Sequence, residues 1–574
     1  MPANFDFLQG QAEYQLFASA AREAEQVLAS SPAMAAMGAR KALELAVKWV
    51  YSADNTITMP YKDNLQALIH EPTFRFALDH STWGKLPYII KLGNLAVHTE
   101  KTIHYGDALL SLTGLFEFIQ WLDYCYGQSY AERRFEETRI PQGRVVVDDS
   151  LVQQKESEIE RLLAQIAAMS NALTEQKDQH KEERIFTAQD ISEFQTRKRY
   201  IDVDLKLLGW VFGEDVKEEV ELPGMPNNAG VGYADYVLYG QDGLPLAVVE
   251  AKRTSKDPKV GTQQAKLYAD CLEKMTGRRP ILFMTNGFDT YVWDDLASPQ
   301  RRASGIFAKS DLEKLLSRRT QQKELETVVI QDGITDRYYQ KEAIRAVCGN
   351  IKDGHRRSLL VMATGTGKTR TASSLADVLS RGGYITNALF LADRTALVKQ
   401  ARDDFKTHLP DMSLCNLLNG TEDKNARIVF STYPTILNSI DTVKTEEGGK
   451  LFTPAHFDLI IVDEAHRSIF KKYRAIFEYF DAYLVGLTAT PKTEVDRNTY
   501  EFFEMQSGVP TYAYEYETAV NEDKVLVPYH NIEVRTKFLE QGITYDELSA
   551  EDKARYEDDF TDEDGNMPDF IPSP

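Results

Sequence analysis

A glycine-rich loop at residues 362–369, Met-Ala-Thr-Gly-Thr-Gly-Lys-Thr, constrains the fold of this 574-residue chain more than any other segment. An apolar run from Ser358 to Ala363 leads into the loop and predicts a buried strand. Gly365 and Gly367 let the backbone turn so that successive N–H groups face phosphate oxygens, and a helix N-terminus beneath the loop adds its dipole. The pattern therefore predicts a strand–loop–helix unit that binds a nucleotide phosphate.

A second motif, Asp-Glu-Ala-His, begins at Asp463 directly after the apolar run Leu459–Val462. Lys368 is expected to neutralise the β- and γ-phosphates of ATP, while Thr369 and Asp463 bind the accompanying Mg²⁺. Glu464 is expected to orient and deprotonate the attacking water. The remaining predicted nucleotide contacts are the loop residues Thr364, Gly365, Thr366 and Gly367. Together the two motifs predict an ATP-hydrolysing site.

The two motifs, in this order, resemble those of superfamily 2 helicases and translocases. Gln340 lies upstream of the loop, where such motors place a glutamine that reads the adenine edge. Residues 393–395 and 431–433 resemble loops that touch a nucleic-acid backbone, and residues 488–490 resemble the element that couples nucleotide state to nucleic-acid grip. The apolar runs between helical stretches predict a doubly wound parallel sheet of the RecA-like kind, with each motif at the carboxyl end of a strand.

A second predicted site precedes the motor. Asp242-Gly243 separates two β-rich runs and indicates a hairpin. Glu250 and Lys252 are two residues apart, so both project from one face of the second strand. A register that places Asp235 opposite them brings two carboxylates and an ammonium together, a set that can hold Mg²⁺ and activate water. Glu-x-Lys is also common on solvated strands. Glu250, however, follows three apolar residues, where burial of a charged side chain is unfavourable unless the charge has a function.

This set resembles the Asp…Glu-x-Lys core of many restriction and recombination nucleases. Glu193 resembles the additional site carboxylate of the RecB-like branch. Gln264 and Tyr268 are four residues apart, hence on one helix face, and resemble the branch's glutamine–tyrosine motif, which contacts DNA near the scissile phosphate. A RecB-like nuclease directly before a helicase-like motor resembles the restriction subunit of type I restriction-modification enzymes, from about residue 184 to the end of the chain.

The remaining segments complete a multidomain α/β interpretation. Helical periodicity predicts a helical N-terminal domain for recognition or docking, in which His98 lacks an evident catalytic partner and is interpreted as a partly buried histidine. The predicted boundaries are 1–130 for this domain, 131–183 for a helical linker, 184–325 for the RecB-like endonuclease, 326–525 for the first RecA-like motor domain and 526–574 for the start of a second. The sequence therefore looks like the N-terminal portion of a longer subunit.

The composition bounds where such a protein works. A net charge of −21 is unusual for a DNA motor, but DNA affinity depends on the local basic footprint and not on the total charge. The four scattered cysteines argue against a zinc site or a disulfide scaffold and favour the reducing cytoplasm. No run suits a transmembrane helix or a signal peptide, so a membrane partner is not expected.

The resemblance implies ATP-driven translocation on double-stranded DNA and Mg²⁺-dependent double-strand cleavage, together with methyltransferase and specificity subunits as partners. ATP and Mg²⁺ are the implied cofactors. Two alternatives remain open: a repair or recombination helicase-nuclease that acts without a methyltransferase, and a nucleotide-dependent clamp or scaffold with an inactive nuclease. The motor resemblance also implies an arginine from a second RecA-like domain, so the chain alone is expected to bind ATP but to hydrolyse it slowly.

Overall fold

The computed structural model describes residues 2–11, 14–60, 64–98, 103–141, 156–186, 193–419, 423, 425–440, 450–465, 473–490, 495, 497–528, 543–544, 553 and 570–571. The chain divides into two compact units, residues 1–516 and 517–574. In the second unit two short strands, Ile543–Thr544 and Phe570–Ile571, pair antiparallel. The predicted start of a second motor domain, 526–574, lies mostly outside the described residues and stays a prediction. Both predicted sites belong to the first unit.

Helices pack around one aromatic-rich core at the beginning of the first unit. The α-helices described there are α1 Gln15–Val27, α2 Pro32–Ala53, α3 Leu65–His70, α4 Pro72–Ala77, α5 His80–His98, α6 Tyr105–Tyr126, α7 Glu156–Ala167 and α8 Ser170–Glu183. Large side chains such as Trp49 and Phe118 are buried in this core. Ile159 and Leu173, on α7 and α8, pack against the same core, so the predicted linker contains two helices that lie on the helical region. The side chain of His98 lies outside the described part of the chain, and its interpretation stays a prediction.

A mixed six-stranded sheet follows. Its strands are β1 Val216–Pro223, β2 Val231–Tyr239, β3 Pro245–Ala251, β4 Ile281–Thr285, β5 Thr290–Trp293 and β6 Arg301–Ala303, and its helices are α9 Glu193–Thr196, α10 Asp202–Leu207, α11 Thr262–Thr276 and α12 Lys309–Gln321. The strands lie side by side in chain order. Only the β3–β4 pair, among those described, is parallel, because α11 crosses between these two strands. The β2–β3 pair is the antiparallel hairpin that the sequence predicted.

A seven-stranded sheet forms the rest of the first unit. Its strands are β7 Arg357–Met362, β8 Ala388–Ala392, β9 Leu414–Asn416, β10 Ile428–Thr432, β11 Leu459–Val462, β12 Tyr483–Thr488 and β13 Tyr512–Tyr514, and its helices are α13 Tyr338–Lys352, α14 Lys368–Arg381, α15 Thr395–His408, α16 Tyr433–Leu437, α17 Arg474–Tyr479 and α18 Arg497–Phe502. The order is β13-β7-β12-β11-β8-β10-β9, and every described pair is parallel. The predicted combination of a helical region with α/β parallel-sheet structure is therefore confirmed.

Buried ion pairs join the two sheets. Arg301 of β6 donates to the two carboxylate oxygens of Asp481 at 2.8 and 2.6 Å, and Arg356 donates to the same carboxylate at 3.2 Å. Although burial opposes the shift, these guanidinium groups lower the pKa of Asp481. Lys314 of α12 adds a second bridge, 2.9 Å from Asp458. Because each charge is paired, burial of these residues fixes one sheet against the other. Among the described helices, none combines the length and the apolar character needed to cross a membrane.

Candidate active sites

The glycine-rich loop adopts the conformation that its sequence predicts. Strand β7 ends at Met362 and α14 begins at Lys368, so the loop connects a buried strand to a helix N-terminus. Gly365 and Gly367 have φ angles of 86° and 87°, a left-handed conformation that glycine adopts without a steric penalty. Thr366 is buried and its hydroxyl donates to the Ala363 carbonyl at 2.6 Å. The loop thereby presents its backbone at the first turn of α14, where anions bind.

The acidic motif faces the same loop from a neighbouring part of the sheet. β11 lies two strands from β7, with β12 between them, so Asp463 and Glu464 emerge at the same edge as the loop. Glu464 Oε1 lies 3.6 Å from Lys368 Nζ, and Glu464 has a φ of 53°, which is uncommon for a residue with a side chain. Burial and the neighbouring Glu464 charge raise the pKa of Asp463. The Lys368 ammonium opposes this shift, so Lys368 lies close to both Asp463 and Glu464 at this edge of the sheet.

Gln340 lies against the loop itself. Its side-chain amide donates to the Thr366 carbonyl at 2.7 Å and accepts a hydrogen bond from the Thr335 hydroxyl. A Cβ atom at Gly367 would lie 2.5 Å from Gln340 Nε2, so glycine is needed there for space as well as for its φ angle. Sequence reasoning assigned Gln340 to the adenine edge. The structure instead has its amide engaged with the phosphate loop, and an adenine contact requires the amide to turn away from Thr366.

The other motor motifs also lie at the carboxyl edge of the sheet, but their side chains differ in access. Residues 393–395 follow β8 and residues 488–490 follow β12 from its last residue. The Arg394 side chain is 80% exposed and is free to reach a nucleic-acid backbone. Tyr433, in contrast, is buried and stacks on Tyr473 at 5.2 Å between ring centroids. Tyr433 therefore packs in the core of the sheet, and the predicted backbone contact of residues 431–433 stays a prediction.

The hairpin brings Asp235, Glu250 and Lys252 together. Tyr236 pairs with Val249 in the antiparallel register, which places Asp235 and Glu250 at the next opposed positions. Lys252 Nζ lies 2.5 Å from Glu250 Oε1. Asp235 Oδ2 accepts a hydrogen bond from the backbone N–H of Ala251 at 2.8 Å. The cross-strand convergence on which the sequence hypothesis depended is thus present in the fold.

The electrostatics of this cluster are unbalanced. Glu250 is only 2% exposed, and its Oε2 atom has no hydrogen-bond partner. Burial and the charge of Asp235 raise the pKa of Glu250 to about 7. Burial also raises the pKa of Asp235 itself. A divalent cation fits these observations, because it would give the orphaned oxygen a partner and offset two facing carboxylates. Among the described residues, no group of three or more acidic, histidine or cysteine side chains is arranged to hold a metal, so any ion here relies on these two carboxylates and on water.

Three other predicted residues border the cluster. Glu193, at the start of α9, is close enough for its charge to contribute to the raised pKa values of Asp235 and Glu250. Gln264 Nε2 donates to the Tyr268 hydroxyl at 2.6 Å on one face of α11. Burial raises the pKa of Tyr268, with smaller contributions from the charges of Glu250 and Asp235. The glutamine–tyrosine pair therefore lies beside the carboxylates, as the predicted role requires.

Sequence reasoning missed two kinds of residue at this site. Gly261 and Gly232 leave space for it, since a Cβ at Gly261 would lie 2.8 Å from Glu250 Cγ and one at Gly232 would lie 2.7 Å from Tyr268 Cε1. Arg197 contacts Asp235 directly, with 2.9 Å between Nη1 and Oδ1. Neither glycine lies in a recognisable motif. The signal for Arg197 was its position four residues after Glu193, which places both side chains near one face of a helical segment.

A parallel sheet with a phosphate loop facing an Asp-Glu pair defines a helicase-like ATPase motor, here joined to a smaller mixed sheet. The comparisons agree with this class. A family model described as the res subunit of type III restriction enzymes matches residues 333–493, which include the loop and the Asp463 motif. A second model, described as the N terminus of the type I restriction enzyme R protein, matches residues 216–301, which include the Asp235–Lys252 hairpin.

The chain is also similar to curated proteins and to a solved structure. The EcoAI endonuclease subunit of a type I restriction enzyme, from Escherichia coli, is 32% identical over 365 residues, which are 57% of this chain and 42% of that protein. The EcoKI endonuclease subunit from Escherichia coli K12 is 28% identical over 461 residues, covering 64% and 38%. A solved fragment ascribed to an HsdR subunit from Vibrio vulnificus is 27% identical and covers 58% of this chain and 61% of that one, with a TM-score of 0.26.

The two family models match successive regions, residues 216–301 and then residues 333–493. Over these regions the chain is similar to the R subunits of type I restriction enzymes. It spans about 40% of the length of the two Escherichia coli relatives.

Proposed function

We propose that this chain carries the nuclease and the first motor domain of a type I restriction subunit, which translocates double-stranded DNA with ATP and cleaves it. The observation that carries the proposal is the coexistence, in one compact unit, of a phosphate loop facing Asp463 and a hairpin that brings Asp235, Glu250 and Lys252 together. Either site alone occurs in many proteins. The pair, fixed to one another by buried ion pairs, suits an enzyme in which movement along DNA and cleavage are linked.

In the proposed nuclease, Asp235 and Glu250 would hold Mg²⁺, and Lys252 would orient the water that attacks the DNA phosphate. A Mg²⁺ ion held there supplies charge for the phosphate and lowers the pKa of a bound water. Lys252 lies close enough to Glu250 for its ammonium to orient that water and to donate a proton to the leaving oxygen of the DNA backbone. Glu193 adds negative charge at the site, and the Gln264–Tyr268 pair offers hydrogen bonds to the DNA backbone. Burial of the cluster keeps bulk water from weakening these interactions.

In the proposed motor, the loop residues 364–369 bind the phosphates of ATP through backbone N–H groups and the Lys368 ammonium. Thr369 and Asp463 are placed to hold the Mg²⁺ that accompanies ATP. Glu464, which has Lys368 as its ionic partner in this structure, takes the proton of the attacking water once phosphates engage the lysine. Gln340 supports the loop, because its side-chain amide donates a hydrogen bond to the Thr366 carbonyl.

The finer assignments belong to the same proposal. The six-stranded sheet with α9–α12 forms a RecB-like nuclease domain, 184–325; the seven-stranded sheet forms the motor domain, 326–525; and the helical region with its linker precedes them. We infer that methyltransferase and specificity subunits choose the DNA sequence and that the complex works in the cytoplasm. The names of the relatives support these partners, since both are subunits of type I restriction enzymes.

The decisive test is cleavage of plasmid DNA by the full complex, with modified and unmodified recognition sites compared. ATP- and Mg²⁺-dependent cleavage of the unmodified plasmid alone is the expected result. Processive degradation from free DNA ends without any methyltransferase subunit would instead assign the chain to repair or recombination. ATP binding with no nicking in any metal would leave only the clamp or scaffold function.

A further inference from the structure

Arg197 bridges two carboxylates on neighbouring strands. Its Nη1 atom lies 2.9 Å from Asp235 Oδ1 and its Nη2 atom 2.7 Å from Glu219 Oε1, while the arginine side chain is only 10% exposed. The residue begins a π-helical turn, Arg197–Ile201, between α9 and α10. Such turns are frequent at functional sites. Arg197 precedes the segment matched by the R protein family model, which starts at residue 216.

The arginine completes a row of alternating charges across the sheet. In the β1–β2 register Glu218 pairs with Tyr236 and Val220 with Ala234, which leaves Glu219 opposite Asp235. Glu219, Asp235 and Glu250 therefore occupy adjacent positions on β1, β2 and β3. Two cations offset these three carboxylates, Arg197 between the first two and Lys252 beside the third.

The two oxygens of Asp235 have different partners. Oδ2 accepts a backbone N–H from Ala251 at 2.8 Å, so Oδ1 is the oxygen that Arg197 holds. Glu250, the opposed residue, keeps its Oε2 atom buried and without a hydrogen-bond partner. A cation shared by Asp235 and Glu250 therefore meets Arg197 at Asp235. Two cations a few ångströms apart in a buried site repel each other strongly.

We propose that Arg197 is an internal counter-ion that competes with the divalent metal for Asp235, and that Glu219 retains the guanidinium when the metal displaces it. The inference rests on the proposed metal-dependent nuclease function of this site. With Arg197 in place, the empty site is partly neutralised. With metal bound, Arg197 keeps its ion pair with Glu219 and its freed N–H groups point toward the site, where a DNA phosphate is the complementary anion.

Glu219 is suited to this role by its backbone. It has a φ of 48°, a left-handed conformation that is unfavourable for a residue with a side chain, inside a strand. The Glu219 side chain is 66% exposed, yet Arg197 lowers its pKa, so that the pair is ionised. A strained residue persists where surrounding contacts hold it. Glu219 therefore offers an acceptor outside the buried site but within reach of the same guanidinium.

The helical region fixes the backbone that carries Arg197. The rings of Tyr88, on α5, and Tyr200, in the π-helical turn, meet edge to face with 4.9 Å between centroids. The Tyr88 hydroxyl donates to Asp204 at 2.6 Å, and Lys91 lies 3.1 Å from the same carboxylate. Because the helical segment that follows Arg197 is anchored in this way, release of Asp235 with retention of Glu219 requires a movement of the arginine side chain alone.

The test measures metal binding by titration calorimetry on the 574-residue chain, with Mn²⁺ as the probe and no nucleotide. Arg197→Gln is expected to tighten Mn²⁺ binding about ten-fold, because it removes the competing charge. Glu219→Gln is expected to weaken it about three-fold, because the guanidinium loses its alternative partner. Arg197→Lys, which keeps the charge but cannot bridge both carboxylates, is expected to bind Mn²⁺ more weakly than Arg197→Gln. The double variant should behave like Arg197→Gln, since Glu219 acts only through Arg197.

A variant with both Asp235→Asn and Glu250→Gln gives the background from any other binding site. If the unsubstituted chain binds Mn²⁺ above that background and Arg197→Gln binds it equally or more weakly, competition is wrong and the nuclease site stands. If neither chain exceeds the background, both the inference and the proposed metal site are wrong. Glu219 is exposed, so Glu219→Gln should fold normally. The expected weakening of Mn²⁺ binding in this variant tests the proposal even if Arg197→Gln unfolds the chain.

Discussion

The ATP site and the nuclease site of the first unit are built from different parts of the polypeptide. The proposed ATP site is mainly backbone: Gly365 and Gly367, both at positive φ, turn the chain between β7 and α14. The proposed nuclease site is made of side chains from β2, β3, α9 and α11, held in place by burial and by Arg197 and Lys252. A backbone site is set by a few consecutive residues, whereas a side-chain site depends on register and on charges that arrive from elsewhere.

The two sites also differ in how far their charges are balanced. The Lys368–Glu464 pair is 3.6 Å apart, and its carboxylate side chain is 38% exposed, so water screens it. Glu250 is buried with one oxygen unpaired and a pKa raised to about 7. Perturbed carboxylates of this kind cluster at functional sites. The comparison predicts that changes at the nuclease site alter cleavage without affecting the motor, and the reverse.

Removal of a nuclease side chain is expected to have the largest effect. Asp235→Ala, Glu250→Ala and Lys252→Ala should each lower double-strand cleavage by the full complex about 10²–10⁴-fold, because each removes a metal ligand or a proton-transfer group. DNA-stimulated ATP hydrolysis should remain largely intact. Plasmid linearisation and phosphate release, measured on the same preparations, check both statements.

Glu221→Ala is the matched control, because Glu221 is an exposed acid on β1 beside the site but has no assigned role. It should cleave normally. Normal cleavage by any one of the three variants would remove that residue from the proposed mechanism. Loss of ATP hydrolysis together with cleavage would mean that the two sites depend on each other, and the contrast between them would fail.

Removal of a side chain at the ATP site is expected to have a smaller effect, measured as a loss of ATP affinity. Lys368→Ala should weaken ATP·Mg²⁺ binding to this chain about 10–100-fold, the worth of a hydrogen bond to a charged group. Mn²⁺ binding that depends on Asp235 and Glu250 should not change. Lys352→Ala is the control, since Lys352 is an exposed lysine on α13 whose only described ion pair is with Glu326. Identical ATP affinity of Lys368→Ala and the unsubstituted chain would show that the loop does not bind phosphate as proposed.

The same contrast explains what the sequence could and could not predict. The phosphate loop was predicted in detail because its glycines and the flanking apolar strand are local. The Asp235–Glu250–Lys252 convergence was predictable as well, since a tight hairpin fixes register over a few residues. The coarse fold followed from the apolar runs, whose lengths and spacing predicted buried parallel strands.

Contacts between distant segments were not predictable in this way. The amide of Gln340 contacts Thr366 only because α13 packs beneath the loop, and the sequence interpretation had assigned that amide to adenine. Arg197 meets Asp235 through a π-helical turn that no simple periodicity indicates. The sequence predicted only a helical linker at residues 131–183, and the structure shows two helices there, α7 and α8, packed on the helical core. In each case tertiary packing decided the outcome.

A third prediction concerns stability and pH at the nuclease site. Burial raises the pKa of Glu250 from 4.5 to about 7, so the folded chain binds this proton more tightly than the unfolded chain does. The free energy of unfolding therefore falls as pH rises from 4.5 to 7, and the penalty is complete above pH 7. Glu250→Gln removes the ionisable group and should stabilise the metal-free site at pH 8 by about 1–3 kcal/mol, with little effect at pH 4.5.

Hydrogen exchange of the β2 and β3 amides, with EDTA present, measures the local free energy of unfolding around Glu250. It does not assume that the whole chain unfolds in one step. Each variant is compared with the unsubstituted chain at the same pH. Asp242→Asn serves as the control, because Asp242 is an exposed hairpin carboxylate whose pKa is lowered by its hydrogen bond with Arg278. Equal protection of Glu250→Gln and the unsubstituted chain at pH 8 would show that the nuclease site stores no unfavourable charge.

The smallest expected effect separates a DNA contact from a core aromatic on α11. Tyr268 is buried, and the absence of a side chain at Gly232 leaves room for its ring, so Tyr268→Ala should destabilise the sheet whatever its role in catalysis. Tyr268→Phe keeps the ring and removes the hydroxyl that accepts a hydrogen bond from Gln264 at 2.6 Å.

If the pair contacts DNA, Tyr268→Phe and Gln264→Ala should each lower cleavage about five-fold, the worth of one hydrogen bond. Mn²⁺ affinity should stay the same, because neither side chain is a usual ligand of a hard cation. Unchanged cleavage per folded molecule in both variants, together with a lower melting temperature for Tyr268→Ala, would assign Tyr268 to the core alone.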